Sequence, residues 1–278
     1  MIANLPRLLS AALLISALLP GARPAAAAIG DWAEGDRTRV RLVAAAAGAE
    51  GKLDAAIEIE LAPGWKTYWR TPGDAGIAPR FDFSRSANIV APVVRFPVPE
   101  RYDDGYSVTN VFRDRVVLSV DARIADPAAP ADLRVSLDLG VCDEICIPVH
   151  VEADLAVSVG GADDEAATIV AAARKALAGP ALPGVFAVDR ISRAGGTDRK
   201  PVFEIAATVP DAENATVFVE GPPDWSAAPP ELVSTDGSRA VYRVAFSRLG
   251  AETPIAGSAF VVTIVSDGRA VEQGIGLD

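Results

Sequence analysis

Apolar and polar residues alternate along much of this chain. In "LDAAIEIELA" (53–62), Ile57, Ile59 and Leu61 fall on one face and Glu58 and Glu60 on the other, the period of a half-buried strand. "TRVRLVAAA" (38–46), "RVVLSVDARI" (115–124), "LRVSLDL" (133–139) and "VHVEADLAV" (149–157) continue the pattern, with clusters of Pro, Gly and Asp between them. Short strands so spaced predict a β-sandwich.

The period then changes. "ADDEAATIVAAARKALAGP" (162–180) reads as a helix. Asp163 or Asp164 can cap its start, Ile169, Ala173 and Leu177 share a face, Arg174 and Lys175 lie near its end, and Gly179-Pro180 stops it. Strand patterns return in "PVFEIAATV" (201–209), "ATVFVEG" (215–221), "RAVYRVAF" (239–246) and "AFVVTIVSDGRAVEQGI" (259–275), the last with a hairpin turn at Asp267-Gly268. The expected fold class is all-β: one sandwich over 29–160, a connecting helix over 161–180, and a second β-rich domain over 181–278. That second half carries no Cys and no His and reads as a binding or spacing module.

The beginning of the chain bears on compartment. Arg7, an apolar run from Leu8 to about Leu19 and the small residues Ala25–Ala28 have the order of a secretory signal peptide over 1–28. The run is short of the roughly 20 residues a membrane span needs, and no later stretch is long and apolar enough. The expected mature protein is exported, with no membrane span, into a compartment where disulfides form. A formal net charge of −11 argues against nucleic acid and anionic membranes as partners.

Candidate chemistry is concentrated in "GVCDEICIPVH" (140–150), which holds both cysteines, Cys142 and Cys146, and the single histidine, His150. A disulfide closing so small a loop gains about 2 kcal/mol from chain entropy, against about 4.7 for a 100-residue loop. It is a weak staple, which leaves structural and redox-active roles open. Asp143 and Glu144 between the cysteines disfavour a thiolate, unlike an attacking thioredoxin-type thiol. Without C-x-x-C or an alternating βα pattern, the chain is not a thioredoxin fold. The third reading is a metal site. Cys142, Cys146 and His150 have C-x3-C-x3-H spacing, and two thiolates with an imidazole suit copper or zinc. This resembles part of the binuclear copper loop of cytochrome oxidase, but the further His and Met of that site are missing, so only a surface copper site is left.

Three segments carry a more specific likeness: "APGWKTYWRTPGDAGIAP" (62–79), "FPVPERYDDGYSVTNVFRDRVVLSV" (96–120) and "LGVCDEICIPVHVEADL" (139–155). In order and spacing they resemble the amino-terminal periplasmic domain of the DsbD and ScsB family of disulfide reductases, over roughly 31–158, and "GWKTYWRTPGDAG" resembles the ScsB-type branch. The resemblance implies an immunoglobulin-like sandwich, a periplasmic location, a redox pair Cys142–Cys146 and no bound cofactor. It also implies a site lined by Asp103, Asp104 and Tyr68, with Tyr106 beside a protective loop. Implied partners are thioredoxin-like periplasmic proteins or a separate membrane electron donor, since no segment resembles the family's membrane or thioredoxin-like domains. Two features depart from the better-known branch. Three residues separate the cysteines instead of five, and Gly105 stands where an aromatic caps the disulfide, so shielding is expected to be weaker, or to come from Tyr106 or the second domain.

Other residues have plainer expectations. Asp103 and Asp104 also suit a turn before Gly105. Trp65 and Trp69 are expected to pack the sandwich, and Trp225 to plug a core beneath its Pro-rich loop. Arg113 and Arg115, flanking Asp114, are expected in surface ion pairs of little worth.

Overall fold

The structure is a computed structural model that describes residues 29–277 apart from 46, 49, 158–162, 249 and 251. The leader over 1–28 and the boundary at 160 lie outside the described residues. The first half runs through β1 (Ala33–Gly35), β2 (Thr38–Ala44), β3 (Lys52–Leu61), β4 (Lys66–Gly73), β5 (Arg80–Asp82) and β6 (Ile89–Arg95). It continues through β7 (Glu100–Asp103), β8 (Val108–Arg113), β9 (Arg115–Ile124), β10 (Ala131–Cys142) and β11 (Cys146–Val157). One sheet has the order β1-β2-β3-β9-β6, and the other β11-β10-β4-β8-β7 with β5 on β10. Between them lies a core of alternating apolar residues, among them Ile57, Ile59, Leu118, Leu133, Leu137 and Trp69.

The predicted alternation of β3 holds for its core face, where Ile57 and Ile59 are buried. Its other face is not simply solvated. Glu58 is only 1% exposed because Arg41 and Arg115 on the neighbouring strands both pair with its carboxylate, at 2.7 and 2.6 Å. Arg115 therefore sits in a shared ion pair with a buried carboxylate, where losing a partner strands a charge. Arg113 pairs at the surface with Glu100.

The helix α1 (Asp164–Lys175) follows. Asp163 is its N-cap and accepts from the backbone N–H groups of Glu165 and Ala166, satisfying two of the donors a helix start leaves open. Its buried stripe is Ala166, Val170 and Ala173, laid on Val43 and Ala56 at the outer face of the first sheet. Arg174 bridges Asp54 and Asp121 of that sheet. The segment that links the halves in sequence is thus also docked on the first sandwich.

The second half contains β12 (Gly179–Pro180), β13 (Ala187–Gly196), β14 (Pro201–Thr208), β15 (Thr216–Glu220) and β16 (Ser226–Ala227). Then come β17 (Glu231–Asp236), β18 (Arg239–Ser247), β19 (Ala259–Ser266) and β20 (Arg269–Gly276). They form the sheets β12-β20-β19-β15 and β13-β14-β18-β16, with β17 added to β18. Asp267 and Gly268, both at positive φ (51° and 67°), make the hairpin turn between β19 and β20, as a two-residue primed turn requires. Trp225 is buried and packs with Phe203, Phe246 and Phe260, which makes it a core residue. The protein is therefore largely β-stranded, two sandwiches in tandem with one helix.

The halves meet along β15. Phe218 is buried in the first core, its ring centroid 5.5 Å from that of Trp69. Arg70 donates to Glu220 on β15 and Glu272 on β20, each at 2.5 Å.

Candidate functional site

The site is built on the β10–β11 hairpin. Cys142 and Cys146 are its terminal cross-strand pair and form a disulfide with Cα atoms 4.1 Å apart. Asp143, Glu144 and Ile145 make the tip, closed by the Asp143 N–H donating to the Ile145 carbonyl. The two cysteines differ in exposure. Cys142 is fully buried, in contact with Tyr68 and Val111 and flanked by Tyr102. Cys146 is exposed, next to Ile145, which is 67% exposed.

Tyr68 is the side chain that reaches both sulfurs. Its hydroxyl donates to Cys142 Sγ at 3.0 Å and lies 3.3 Å from Cys146 Sγ. Local pairing sets its position: Lys66 and Thr67 of β4 pair with Cys142 and Val141 of β10, and the Thr67 hydroxyl donates to the Gly140 carbonyl. The ring is covered by Gly76, at φ 110°, where a Cβ would come within 2.4 Å of the ring. Only glycine fits such an approach at such a φ. Burial, and then the negative charge of Asp104, push the Tyr68 pKa up, so the phenol stays a protonated donor at neutral pH.

Positive charge also borders the pair. Lys66 Nζ donates to the Asp143 carbonyl at 3.1 Å and stands 4.8 Å from the Tyr102 ring centroid. Arg113 covers the same ring at 4.5 Å. The field at the disulfide is therefore not set by Asp143 and Glu144 alone. Lys66, Tyr102 and Gly76 are residues that sequence reasoning missed. Each acts across the sheet or across a loop, and their only sequence signal is to lie in two of the three segments that carry the resemblance.

The acidic pair organises the 103–107 loop. Asp103 accepts from the Gly105 N–H, and Asp104 from the N–H groups of Tyr106 and Ser107. Those bonds hold the Asp104 carboxyl below the usual range. Neither carboxylate hydrogen-bonds a sulfur, and Asp104 is tied to the site through its charge on Tyr68. Tyr106 stands fully in solvent, and the space a Cβ on Gly105 would occupy is open. Tyr106 thus does not shield the disulfide in this conformation.

His150 is not drawn into the site. Its Nδ1 bonds Asp138 at 2.7 Å, and it lies four residues along β11 from Cys146, roughly 13 Å at the rise of an extended strand. Cys142, Cys146 and His150 therefore do not converge, because C-x3-H spacing on a strand separates what a helix would bring together. Among the described residues no cluster of three or more His, Cys, Asp or Glu side chains is placed to hold a metal.

Residues 38–158 match the family model described as thiol:disulfide interchange protein DsbD, N-terminal. This segment is similar to the DsbD amino-terminal domain family. The DsbD-type segment takes in β2 to β11 and hence both cysteines, Tyr68 and the 103–107 loop. The likeness in fold extends further. The crystal structure of the N-terminal periplasmic domain of ScsB from Proteus mirabilis superposes with a TM-score of 0.70 at 21% identity, over 90% of this chain and 98% of that one. Both sandwiches and the helix are thus within the shared fold. No curated protein matches the chain.

Proposed function

We propose that this protein carries out thiol–disulfide interchange in the periplasm, passing electrons through Cys142–Cys146 to or from thioredoxin-like partners or a separate membrane electron donor. The observation that carries the reading is the unequal exposure of the two cysteines: Cys146 an exposed residue, Cys142 buried against a hydroxyl donor. The signal-like start of the sequence and the DsbD-type segment support the compartment and the class of chemistry. Among the described residues no helix is long and apolar enough to cross a membrane.

A partner's thiolate attacks Cys146 Sγ in line with the S–S bond. A mixed disulfide forms, and Cys142 leaves as a thiolate that accepts the Tyr68 hydroxyl bond. A second thiolate on the partner then attacks the partner's own sulfur in the mixed disulfide and releases Cys146. The partner leaves oxidised, and the pair holds two electrons. In reverse, the Cys146 thiolate attacks a partner's disulfide, and Cys142 resolves the intermediate. Exchange depends on which sulfur is accessible and on stabilising the leaving thiolate, and the two cysteines divide these tasks.

The test is to let glutathione, and separately a thioredoxin lacking its resolving cysteine, react with the oxidised chain, quench with acid and map the adduct. The expected adduct is on Cys146. An adduct mainly on Cys142 would overturn the assignment, and no adduct with either thiol would point to a structural bridge.

A further inference from the structure

The two strands that wall the disulfide are incompletely supported by their own sheet, and both take support from β15. On β4, pairing with β8 breaks after Tyr68. The chain advances from Tyr68 to Gly73 while β8 moves only from Val111 to Thr109. Trp69, Arg70, Thr71 and Pro72 therefore bulge out of the ladder immediately beyond the residue that touches both sulfurs. From its own half the bulge gets the Asn110 amide, which donates to the Thr71 carbonyl. From the second half it gets more. Arg70 donates through Nε and Nη2 to Glu220 and through Nη2 to Glu272, the Thr71 hydroxyl donates to Glu220 at 2.8 Å, and Phe218 packs on Trp69.

The second strand is β7, at the edge of that sheet with β8 as its one neighbour. Its Arg101 donates to the Val217 carbonyl at 2.6 Å and lies 4.7 Å from the Phe218 ring centroid. The next residue, Tyr102, flanks Cys142, and the strand runs on into the 103–107 loop. Val217, Phe218 and Glu220 of one five-residue strand thus hold the residues next to both aromatic walls of the site.

We propose that β15 of the second sandwich clamps the disulfide site, with Glu220, Arg70 and Arg101 as positioning residues that keep Tyr68 and Tyr102 closed over Cys142. The role rests on the reading of this disulfide as the working site, and it gives the second half a function in that chemistry: it sets how readily the buried sulfur becomes accessible. A bulge with a free backbone would let the Tyr68 ring swing. The Arg70 fork on two carboxylates fixes its orientation, and such bidentate pairs carry directional as well as electrostatic constraint.

The experiment measures the rate at which a water-soluble phosphine reduces the disulfide in the full chain, converting it to two thiols as the phosphine becomes its oxide. This rate reads access to the bond whether or not the pair exchanges with proteins, so a failure of the exchange reading leaves it interpretable. Glu220→Ala is expected to raise the rate about threefold or more, the coupling typical of residues in contact, with circular dichroism showing a folded chain. Arg70→Lys, which keeps the charge but not the fork, is expected to fall between. In a Tyr68→Ala background the Glu220→Ala effect should vanish. An unchanged rate in a folded Glu220→Ala chain, or the same increase without Tyr68, overturns the clamp. Should Glu220→Ala unfold, Glu220→Gln and Arg70→Lys carry the same two criteria.

Discussion

At the scale of residues, Tyr68 joins the two sulfurs to the rest of the molecule. Its hydroxyl is a donor to Cys142 Sγ, and hydrogen bonds to a charged group are worth about 1.5–3 kcal/mol. Tyr68→Phe keeps the ring against Gly76 and removes only the donor. Cleavage of the disulfide by dithiothreitol should then slow by about tenfold, since much of that interaction is formed as the thiolate leaves. An unchanged second-order rate constant would show that the bond does not act in the chemistry. His150 offers a separate check of the electrostatics. The Asp138 hydrogen bond raises its pKa above the ordinary histidine value of 6.5. A raised folded-state value means that the interaction favours folding below the unfolded pKa and is lost as pH rises through the folded one. In the single-histidine chain, the proton NMR titration of His150 should lie above 6.5 and fall back toward it in Asp138→Asn. Identical titrations would contradict the contact.

At the scale of elements, the parts legible in sequence are those that obey one period. Arg115–Ile124 was readable to its ends because every second residue faces the core, and the Asp267-Gly268 turn because its φ angles need those residue types. The Asp163 cap was legible for the same local reason, whereas the helix stripe centres on Ala166 and Val170, one position from the Ile169 face that the sequence suggested. Strands β4 to β8 were not legible as strands, and only β4, β7 and β8 fall in segments that carry the family resemblance. They are short, interrupted by Pro and Gly, and bulged, so their positions depend on partners far along the chain. The same holds for the site. The cysteine pair is visible as a motif, but the burial of one sulfur and the exposure of the other are consequences of which strand lies beside the hairpin. The three-ligand set of Cys142, Cys146 and His150 does not form for an element-level reason, since a strand carries His150 away from Cys146. The loop after β4 supplies a test at this scale. Gly76→Ala puts a Cβ into the Tyr68 ring at a φ that L-residues rarely adopt, and should destabilise the first sandwich by about 1–3 kcal/mol. Chemical denaturation would show it, and a loss under 0.5 kcal/mol would mean that the loop does not hold the ring.

At the scale of the whole molecule, a sandwich with its own core carries the disulfide, and a second sandwich with no Cys or His grips the strands beside it. So short a bridge gains only about 2 kcal/mol from chain entropy, and exchange is the role proposed for it. Cys142–Cys146 is proposed to be poised for exchange. The most direct test is its reduction potential, found by equilibrating the purified protein against defined thiol buffers. The expected value is about −180 to −270 mV, among exchange proteins. A value below about −300 mV would mark a structural bridge and contradict it.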